Sequence, residues 1–322
     1  MDIIEKQNNQ VIKTPHHPLV YLNGDFLPRD HAVLPITTQA FNYGTAVFEG
    51  IRGYKQSSNN EISIFRLDEH LKRFRQSASL LLIDKIPPHD ELKEIILTLL
   101  SRNDAKKDCY IRPIAFKSNL LPNSGFGVKL SNVDSGLSIN SLDMQAYVKQ
   151  NGIRCTISNW QRVADNSIPA RAKITGSYVN SALAMESAQR SGYDDAIMLN
   201  NKGYVSESTT SNVFIIKNKT LITPPLSAHI LEGITRDTVI TLAKTQLKLN
   251  VEERDISPSE LLTADESFLT GTGVEIALIN QIDHHKLSSS DDASYSRTIK
   301  NIYEKTVRGE ISEFQHWLTP LY

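Results

Sequence analysis

Residues 195–216 read DAIMLNNKGYVSESTTSNVFII, and this stretch predicts the fold of the second half of the chain. Two short apolar runs, 195–199 and 213–216, flank a turn of the type Asn-Asn-Lys-Gly. Short apolar runs that are bounded by Asn and Gly are typical of β-strands. Similar runs lie on either side, at 153–158 and 267–270. We therefore predict a barrel-like sheet of short strands for this half.

Three helices are predicted around this sheet. One follows Gly176 and ends near Gly192, because glycine is favoured just after the end of a helix. A second begins at Gly233. A third begins at Ser257, where Ser-Pro-Ser-Glu forms a capping box with proline at the first helical position.

The first half of the chain mixes strands and helices. An Asn-Gly pair between apolar runs predicts a tight β-hairpin at 20–27. A second hairpin is predicted from 51–55 and 62–65, which are joined by a polar, turn-rich segment. Two amphipathic helices then follow, with apolar residues three and four positions apart. Their apolar stripes are Leu67, Leu71, Phe74, Ala78 and Leu81, then Leu92, Ile95, Ile96, Leu99 and Leu100.

The length of 322 residues is enough for two domains with a secluded pocket. Residues 117–145 are rich in Ser, Asn and Gly and have weak periodicity, so we predict a loop and linker zone there. We place an N-terminal domain at 1–140, an interdomain loop at 141–150 and a C-terminal domain at 151–322.

Composition favours a cytoplasmic enzyme that acts on small molecules. The 35 Lys+Arg and 36 Asp+Glu residues leave a formal net charge of −1, too little to recruit nucleic acid or an anionic membrane. The N-terminus lacks the apolar stretch of a secretory signal, and no apolar run approaches the ~20 residues that span a bilayer. Cys109 and Cys155 lie far apart and indicate no disulfide framework.

Several common catalytic motifs are absent from the sequence. There is no Gly-rich phosphate loop, no dinucleotide-binding glycine pattern, no Gly-x-Ser-x-Gly and no His-Glu-x-x-His. The histidine pairs 16–17 and 284–285 are adjacent in sequence and do not share a helix face, so we predict no metal site.

Lys173 lies among small and apolar residues just before a predicted helix, in the stretch ARAKITGSY at 170–178. Burial disfavours an ammonium group, and a Schiff-base lysine has to react as the neutral amine. The alternative is an ordinary lysine whose stem packs on the surface while its amine stays in water.

Glu207 follows a predicted strand and precedes a run of small hydroxyl residues. Its carboxylate could keep a pyridinium nitrogen protonated, or it could be an exposed hairpin glutamate. Two segments, 231–237 and 270–273, offer backbone amides to an anion, and both could equally be ordinary turns and caps. Two such segments without a nucleotide loop suggest a ligand with a phosphate and a carboxylate.

Taken in order, these pieces resemble the class IV aminotransferases, the pyridoxal-phosphate enzymes of fold type IV, and among them the branched-chain amino acid aminotransferases. The resemblance spans about residues 20–280. The segments that carry it are 41–52, FNYGTAVFEGIR; 65–73, FRLDEHLKR; 110–113, YIRP; 158–162, SNWQR; 172–173, AK; 206–207, SE; 233–237, GITRD; and 271–276, GTGVEI. It implies a two-domain α/β (α+β) fold with an N-terminal α/β sandwich and a C-terminal pseudo-barrel.

The resemblance implies that the cofactor is pyridoxal phosphate and that Lys173 is the catalytic lysine that bonds it. Lys173 would also move the proton at the substrate Cα. Glu207 would pair with the pyridine nitrogen, and Tyr178 would lie beside the phenolic oxygen. The phosphate would be bound by Arg66, by the amides of Ile234 and Thr235, and by Thr272.

The implied reaction transfers the amino group of leucine, isoleucine or valine to 2-oxoglutarate, giving branched-chain 2-oxo acids and L-glutamate. The substrate carboxylate would meet the turn at Thr272 and Gly273, and the branched side chain would lie among Tyr43, Phe48 and Tyr110. Arg112, on the same strand face as Tyr110, would pair with the distal carboxylate of glutamate, or it could only join two domains. The resemblance also implies a homodimer or a larger homo-oligomer, with Tyr43 reaching the neighbouring subunit.

Other activities of this fold remain as alternatives. Relatives act on D-amino acids or eliminate from aminodeoxychorismate, and a protein that binds pyridoxal phosphate without catalysis is a further class. The sequence departs from the usual pattern at Gly273-Val274, where two alanines are more common, and in 141–147, which lacks the tryptophan of some relatives. The motif Tyr-Ile-Arg-Pro at 110–113 favours the branched-chain interpretation.

Overall fold

The computed structural model describes residues 15–118, 127–144 and 152–322, which form two sheets with helices packed on them. Strands of the first sheet are β1 (Leu19–Leu22), β2 (Asp25–Pro28), β3 (Ala46–Phe48), β4 (Ile51–Lys55), β5 (Ile62–Phe65), β6 (Cys109–Lys117), β7 (Ser135–Asp143) and β17 (Leu318–Pro320). Their order is β17-β5-β4-β6-β7-β1-β2, and β3 pairs with β6. Both hairpins predicted for the first half are present, as β1–β2 and β4–β5.

The second sheet contains a closed barrel. Its strands are β8 (Ile153–Ile157), β9 (Asp195–Leu199), β10 (Val205–Ser208), β11 (Asn212–Lys217), β12 (Thr220–Thr223), β13 (Asn250–Glu253), β14 (Glu266–Gly271), β15 (Glu275–Ile282) and β16 (His285–Lys286). The pairings β10-β9-β8-β15-β14-β11 continue around, because β10 also pairs with β11. The predicted barrel-like sheet is therefore confirmed.

Helices cover both sheets. They are α1 (Gln39–Tyr43), α2 (Leu67–Leu80), α3 (His89–Arg102), α4 (Tyr178–Arg190), α5 (Ile234–Gln246), α6 (Pro258–Leu262) and α7 (Tyr295–Val307). The predicted apolar stripes of α2 and α3 are buried against the first sheet, apart from the partly buried Leu81 just after α2. Ser257 caps α6 by accepting a hydrogen bond from the Glu260 backbone N–H, as the capping-box pattern predicts.

Two boundary predictions are wrong. Residues 141–143, placed in the interdomain loop of 141–150, belong to β7, which occupies 135–143 of the predicted linker zone. Alternate side chains of β7 face the core, with Leu137, Ile139 and Ser141 buried, and such alternation is the strand pattern. The rest of that loop from residue 145 onward lies outside the described residues.

The end of the chain returns to the first sheet, although residues 318–320 were assigned to the C-terminal domain of 151–322. Strand β17 pairs with β5, and the Trp317 ring packs edge-on against Phe65 with the ring centroids 6.0 Å apart. These apolar contacts anchor the C-terminus between the two sheets.

No helix within the described ranges is long and apolar enough to span a membrane.

Candidate active site

Lys173 lies where the two sheets meet, just before the turn that leads into α4. Its backbone N–H donates to the Ser77 hydroxyl of α2 over 3.1 Å, and its carbonyl accepts from the Phe48 N–H over 3.0 Å. The side-chain Nζ donates to the Tyr178 hydroxyl over 2.6 Å and lies 4.8 Å from the centre of the Phe48 ring. These contacts exclude the alternative of a lysine that extends into bulk water.

Two cavities meet at this lysine. The first, which we call the Glu207 cavity, has a wall that includes Lys173, Tyr178, Glu207, Ile234, Thr235 and Thr272. The second, the Arg112 cavity, has a wall that includes Lys173, Phe48, Tyr110, Arg112, Thr272 and Gly273. The predicted cofactor residues other than Arg66, and the predicted substrate residues other than Tyr43, therefore gather around one amine.

Glu207 occupies the end of β10 and is only 5% exposed, so it is not a hairpin surface residue. Its Oε1 lies 2.8 Å from the Arg162 guanidinium, and its Oε2 accepts from the Asn212 amide and the Leu231 backbone N–H, each over 3.1 Å. Burial raises the pKa of the Glu207 carboxyl, and the nearby Arg162 opposes that rise. Arg162 belongs to the segment 158–162, for which the sequence indicated no individual function. Its ion pair with Glu207 holds this carboxylate in place.

An anion-binding site is formed where α5 begins. Gly233 precedes the first helical residue, and no side chain of the described residues caps this terminus. The backbone N–H groups of the first turn, including those of Ile234 and Thr235, are therefore open to the cavity, where they attract negative charge. The buried Thr270 hydroxyl also lies on the cavity wall and has no hydrogen-bond partner among the described residues.

Arg73, which the sequence analysis did not select, lines the Glu207 cavity beside this terminus. Its Nε and Nη2 donate to the buried Glu49 carboxylate over 2.6 and 2.8 Å, and its Nη1 donates to the Glu232 carbonyl over 2.7 Å. A guanidinium has five N–H donors, so two remain for an anion. Arg73 and the imidazole of His70 hold the pKa of the Glu49 carboxyl well below its usual range, although burial acts the other way.

Arg66, the predicted phosphate ligand, does not belong to the described wall of the Glu207 cavity. Its guanidinium is paired with Glu69 at 2.7 Å and Asp237 at 2.6 Å, and it stacks over the Trp317 ring. It faces a neighbouring cavity between α2 and α5, which shares Arg73, Gly233 and Ile234 with the Glu207 cavity. The sequence does hold a signal for Arg73 instead, because His70, Arg73 and Ser77 are spaced three and four apart and form a polar stripe on α2.

The described wall of the Arg112 cavity combines aromatic side chains with the guanidinium of Arg112. Arg112 Nη2 donates to the Tyr110 hydroxyl over 2.5 Å, and its guanidinium lies 4.5 Å from the centre of the Phe48 ring. Its buried Nε has no hydrogen-bond partner in the part of the chain that the structure describes. Tyr43 lies elsewhere, at the end of α1, where it is 38% exposed and is absent from the described walls of both cavities.

Comparisons with known proteins show the family of this chain. The family described as "Amino-transferase class IV" matches residues 46–282. The chain is 41% identical over 313 residues to a probable branched-chain-amino-acid aminotransferase of Aquifex aeolicus, covering 97% of this chain and 99% of that one. It is 33% identical over 307 residues to the branched-chain-amino-acid aminotransferase of Escherichia coli K12, covering 93% and 96% of the two chains.

Solved structures give the same result. A branched-chain aminotransferase of Thermoproteus uzoniensis with norvaline superposes with a TM-score of 0.89 at 35% identity, covering 95% of this chain and 100% of that one. The branched-chain amino acid aminotransferase of Thermobaculum terrenum in its PLP-form also gives 0.89 at 35% identity, covering 96% and 100%.

The chain belongs to the class IV aminotransferase family, and within it to the branched-chain group that these relatives represent. It is therefore an enzyme, a transferase, and the family's cofactor is pyridoxal phosphate.

The residues of the Glu207 cavity fit this cofactor. The phosphate needs donors, which the start of α5, Arg73 and the unpartnered Thr270 hydroxyl provide. The pyridine nitrogen needs a carboxylate, and Glu207 is the acidic side chain on the described part of the wall. The aldehyde needs an amine, and Lys173 is the lysine on the described part of the wall.

Proposed function

We propose that this enzyme transfers the amino group of leucine, isoleucine or valine to 2-oxoglutarate, which yields branched-chain 2-oxo acids and L-glutamate. One observation carries the proposal: Lys173 lies at the junction of a polar cavity that fits the cofactor and an aromatic cavity whose described wall includes Arg112. Amino acids and 2-oxo acids are the partners, and the cytoplasm is the location that the sequence favours.

Each residue has a defined task in this reaction. Bound pyridoxal phosphate supplies an aldehyde that takes up the amino group and a ring that accepts the electrons released at the substrate Cα. Lys173 Nζ moves the proton at Cα once substrate has taken its place, and the hydrogen bond to Tyr178 orients that amine. Glu207 keeps the ring nitrogen protonated, which Arg162 and Asn212 support by fixing its carboxylate.

Arg73, the amides of Ile234 and Thr235, and Thr272 bind the phosphate in this proposal, and Arg66 does not. Arg73→Lys keeps a cation beside Glu49 but loses the bidentate guanidinium donor. We therefore expect the cofactor Kd to rise about 10- to 100-fold. Arg66→Lys is the matched control and should change that Kd less than about threefold. Titration of the apoenzyme with cofactor measures both values. A larger effect from Arg66→Lys would restore Arg66 as the phosphate ligand.

Arg112 allows the same cavity to accept both the apolar side chain of leucine and the distal carboxylate of glutamate. With leucine bound, its guanidinium keeps its hydrogen bond to Tyr110, and with glutamate bound, its Nε and Nη groups pair with the distal carboxylate. We expect Arg112→Met to lower kcat/KM for L-glutamate about 100-fold and for L-leucine less than about fivefold. Steady-state kinetics with each amino acid provide the comparison. Equal losses for the two substrates would contradict this role.

The substrate class is tested by single-turnover spectra with L-leucine, L-glutamate and D-alanine in turn. L-leucine and L-glutamate should each bleach the absorption band of the lysine-bound cofactor, and D-alanine should not. Bleaching by D-alanine alone would assign a D-amino acid transferase. A band that none of them changes would indicate a binding protein without this activity.

We also infer a homodimer, or a larger homo-oligomer that contains it. Large apolar side chains are exposed along the segment before and within α1, at Val33, Leu34, Ile36, Phe41 and Tyr43. This segment ends at Gly44, whose carbonyl accepts from the Gly176 N–H over 3.1 Å, close to Lys173 in sequence. A second subunit that covered this patch would bring Tyr43 near the partner's substrate cavity.

A further inference from the structure

The backbone of the segment that carries Lys173 lies against β3 of the first sheet. The Phe48 backbone N–H donates to the Lys173 carbonyl over 3.0 Å, and Val47 forms an antiparallel bridge with Ile174. These contacts are made by backbone groups. They fix one side of the lysine segment whatever side chains stand there.

A side chain of α2 holds the other side of Lys173. The Ser77 hydroxyl oxygen accepts the Lys173 backbone N–H over 3.1 Å, and Ser77 is only 1% exposed. A hydroxyl that is buried this deeply is poorly accessible to water. Its removal would therefore leave the Lys173 N–H without an acceptor of equal geometry.

The same helix carries Arg73, which lines the Glu207 cavity beside the start of α5. Arg73 and Ser77 are four residues apart, so they lie on one face of α2 and are separated by about 6 Å along its axis. Arg73 is fixed in turn by its hydrogen bonds to the Glu49 carboxylate and the Glu232 carbonyl. One helix therefore contacts both the anion-binding end of the cavity and the lysine.

We propose that Ser77 is a positioning residue that sets the distance between the amine of Lys173 and the phosphate-binding end of the cofactor cavity. Ser77 is absent from the described walls of both cavities, so it acts through the Lys173 backbone. This inference rests on the proposed function, in which Lys173 bonds the cofactor and Arg73 binds its phosphate.

Two forms of the cofactor separate this role from general support of the fold. Pyridoxal phosphate has the aldehyde that the lysine bonds, whereas pyridoxamine phosphate has an amine in that place and binds without the bond. For Ser77→Ala we expect the Kd of pyridoxal phosphate to rise about 3- to 10-fold, the effect of one lost hydrogen bond. The Kd of pyridoxamine phosphate should change less than about twofold. Titration of the apoenzyme with each form measures both values.

Ser79→Ala is the matched control. Ser79 lies on the same helix but is exposed, and its hydroxyl donates to the Gln76 carbonyl. It should leave both Kd values unchanged. Tight binding of pyridoxamine phosphate also shows that Ser77→Ala is folded. Equal rises for the two forms, or an unchanged Kd for pyridoxal phosphate, would overturn the proposal.

Lys173→Ala in the same assay shows which proposal has failed. It should raise the Kd of pyridoxal phosphate and leave that of pyridoxamine phosphate nearly unchanged. If this variant changes neither value, the role of Lys173 is wrong, and the inference about Ser77 falls with it. If Lys173→Ala behaves as expected and Ser77→Ala does not, only the inference about Ser77 is wrong.

Discussion

Lys173→Ala is expected to abolish covalent attachment of the cofactor and to lower kcat by a factor on the order of 10⁴ or more. General acid–base catalysis by one positioned group contributes about 10²–10⁴, and this variant also loses the amine that bonds the aldehyde. No other amine among the described residues replaces Lys173 Nζ at this position, because the side chain that is hydrogen-bonded to Nζ is the hydroxyl of Tyr178. The absorption band of the bound cofactor and the steady-state rate with L-leucine measure the two effects.

Lys202→Ala is a suitable control, because Lys202 is an exposed lysine in the turn between β9 and β10. It should keep both the absorption band and the rate. Turnover by Lys173→Ala at the wild-type rate would refute the role assigned to this lysine.

Glu207→Gln is expected to lower kcat about 10²- to 10³-fold while the cofactor stays bound. The glutamine keeps the shape of the side chain but removes the negative charge opposite the ring nitrogen, and removing such preorganised charge stabilisation typically has effects of this size. It also leaves the buried Arg162 without its ionic partner, so the variant should unfold at a lower temperature. Rates measured at 25 °C and a thermal melt separate the two consequences.

Glu186→Gln offers the comparison for this substitution. Glu186 is paired with Arg190 on the surface of α4, where one exposed ion pair contributes little. Its rate and melting temperature should match those of the wild type. A Glu207→Gln enzyme with an unchanged kcat would show that the carboxylate does not act on the cofactor ring.

Local patterns in the sequence predicted the elements that carry the site. The apolar runs of β9, β11 and β14 predicted the barrel, and the small residues around Lys173 predicted a sheltered amine. Strand β7 was missed because its serines and asparagine have the composition of a loop. Its buried positions follow a period of two, and burial of Ile139 and Ser141 outweighs the low strand preference of the polar residues.

The choice between Arg66 and Arg73 could not be made from the order of residues alone. Both belong to the same motif, and only the folded structure shows that Arg73 lines the Glu207 cavity while Arg66 is paired with Glu69 and Asp237. The position of the C-terminal strand could not be predicted from the sequence either. Strand β17 at the C-terminus pairs with β5 near the beginning of the chain, and only the folded structure brings these two segments together.

The central claim is that Lys173 is the amine that bonds the cofactor between the two cavities. Reduction of the holoenzyme with borohydride, followed by mass mapping of its peptides, tests this claim directly. The account predicts a phosphopyridoxyl group on the peptide that contains residues 172–178, at Lys173. The same group on any other lysine, with Lys173 unmodified, would contradict it.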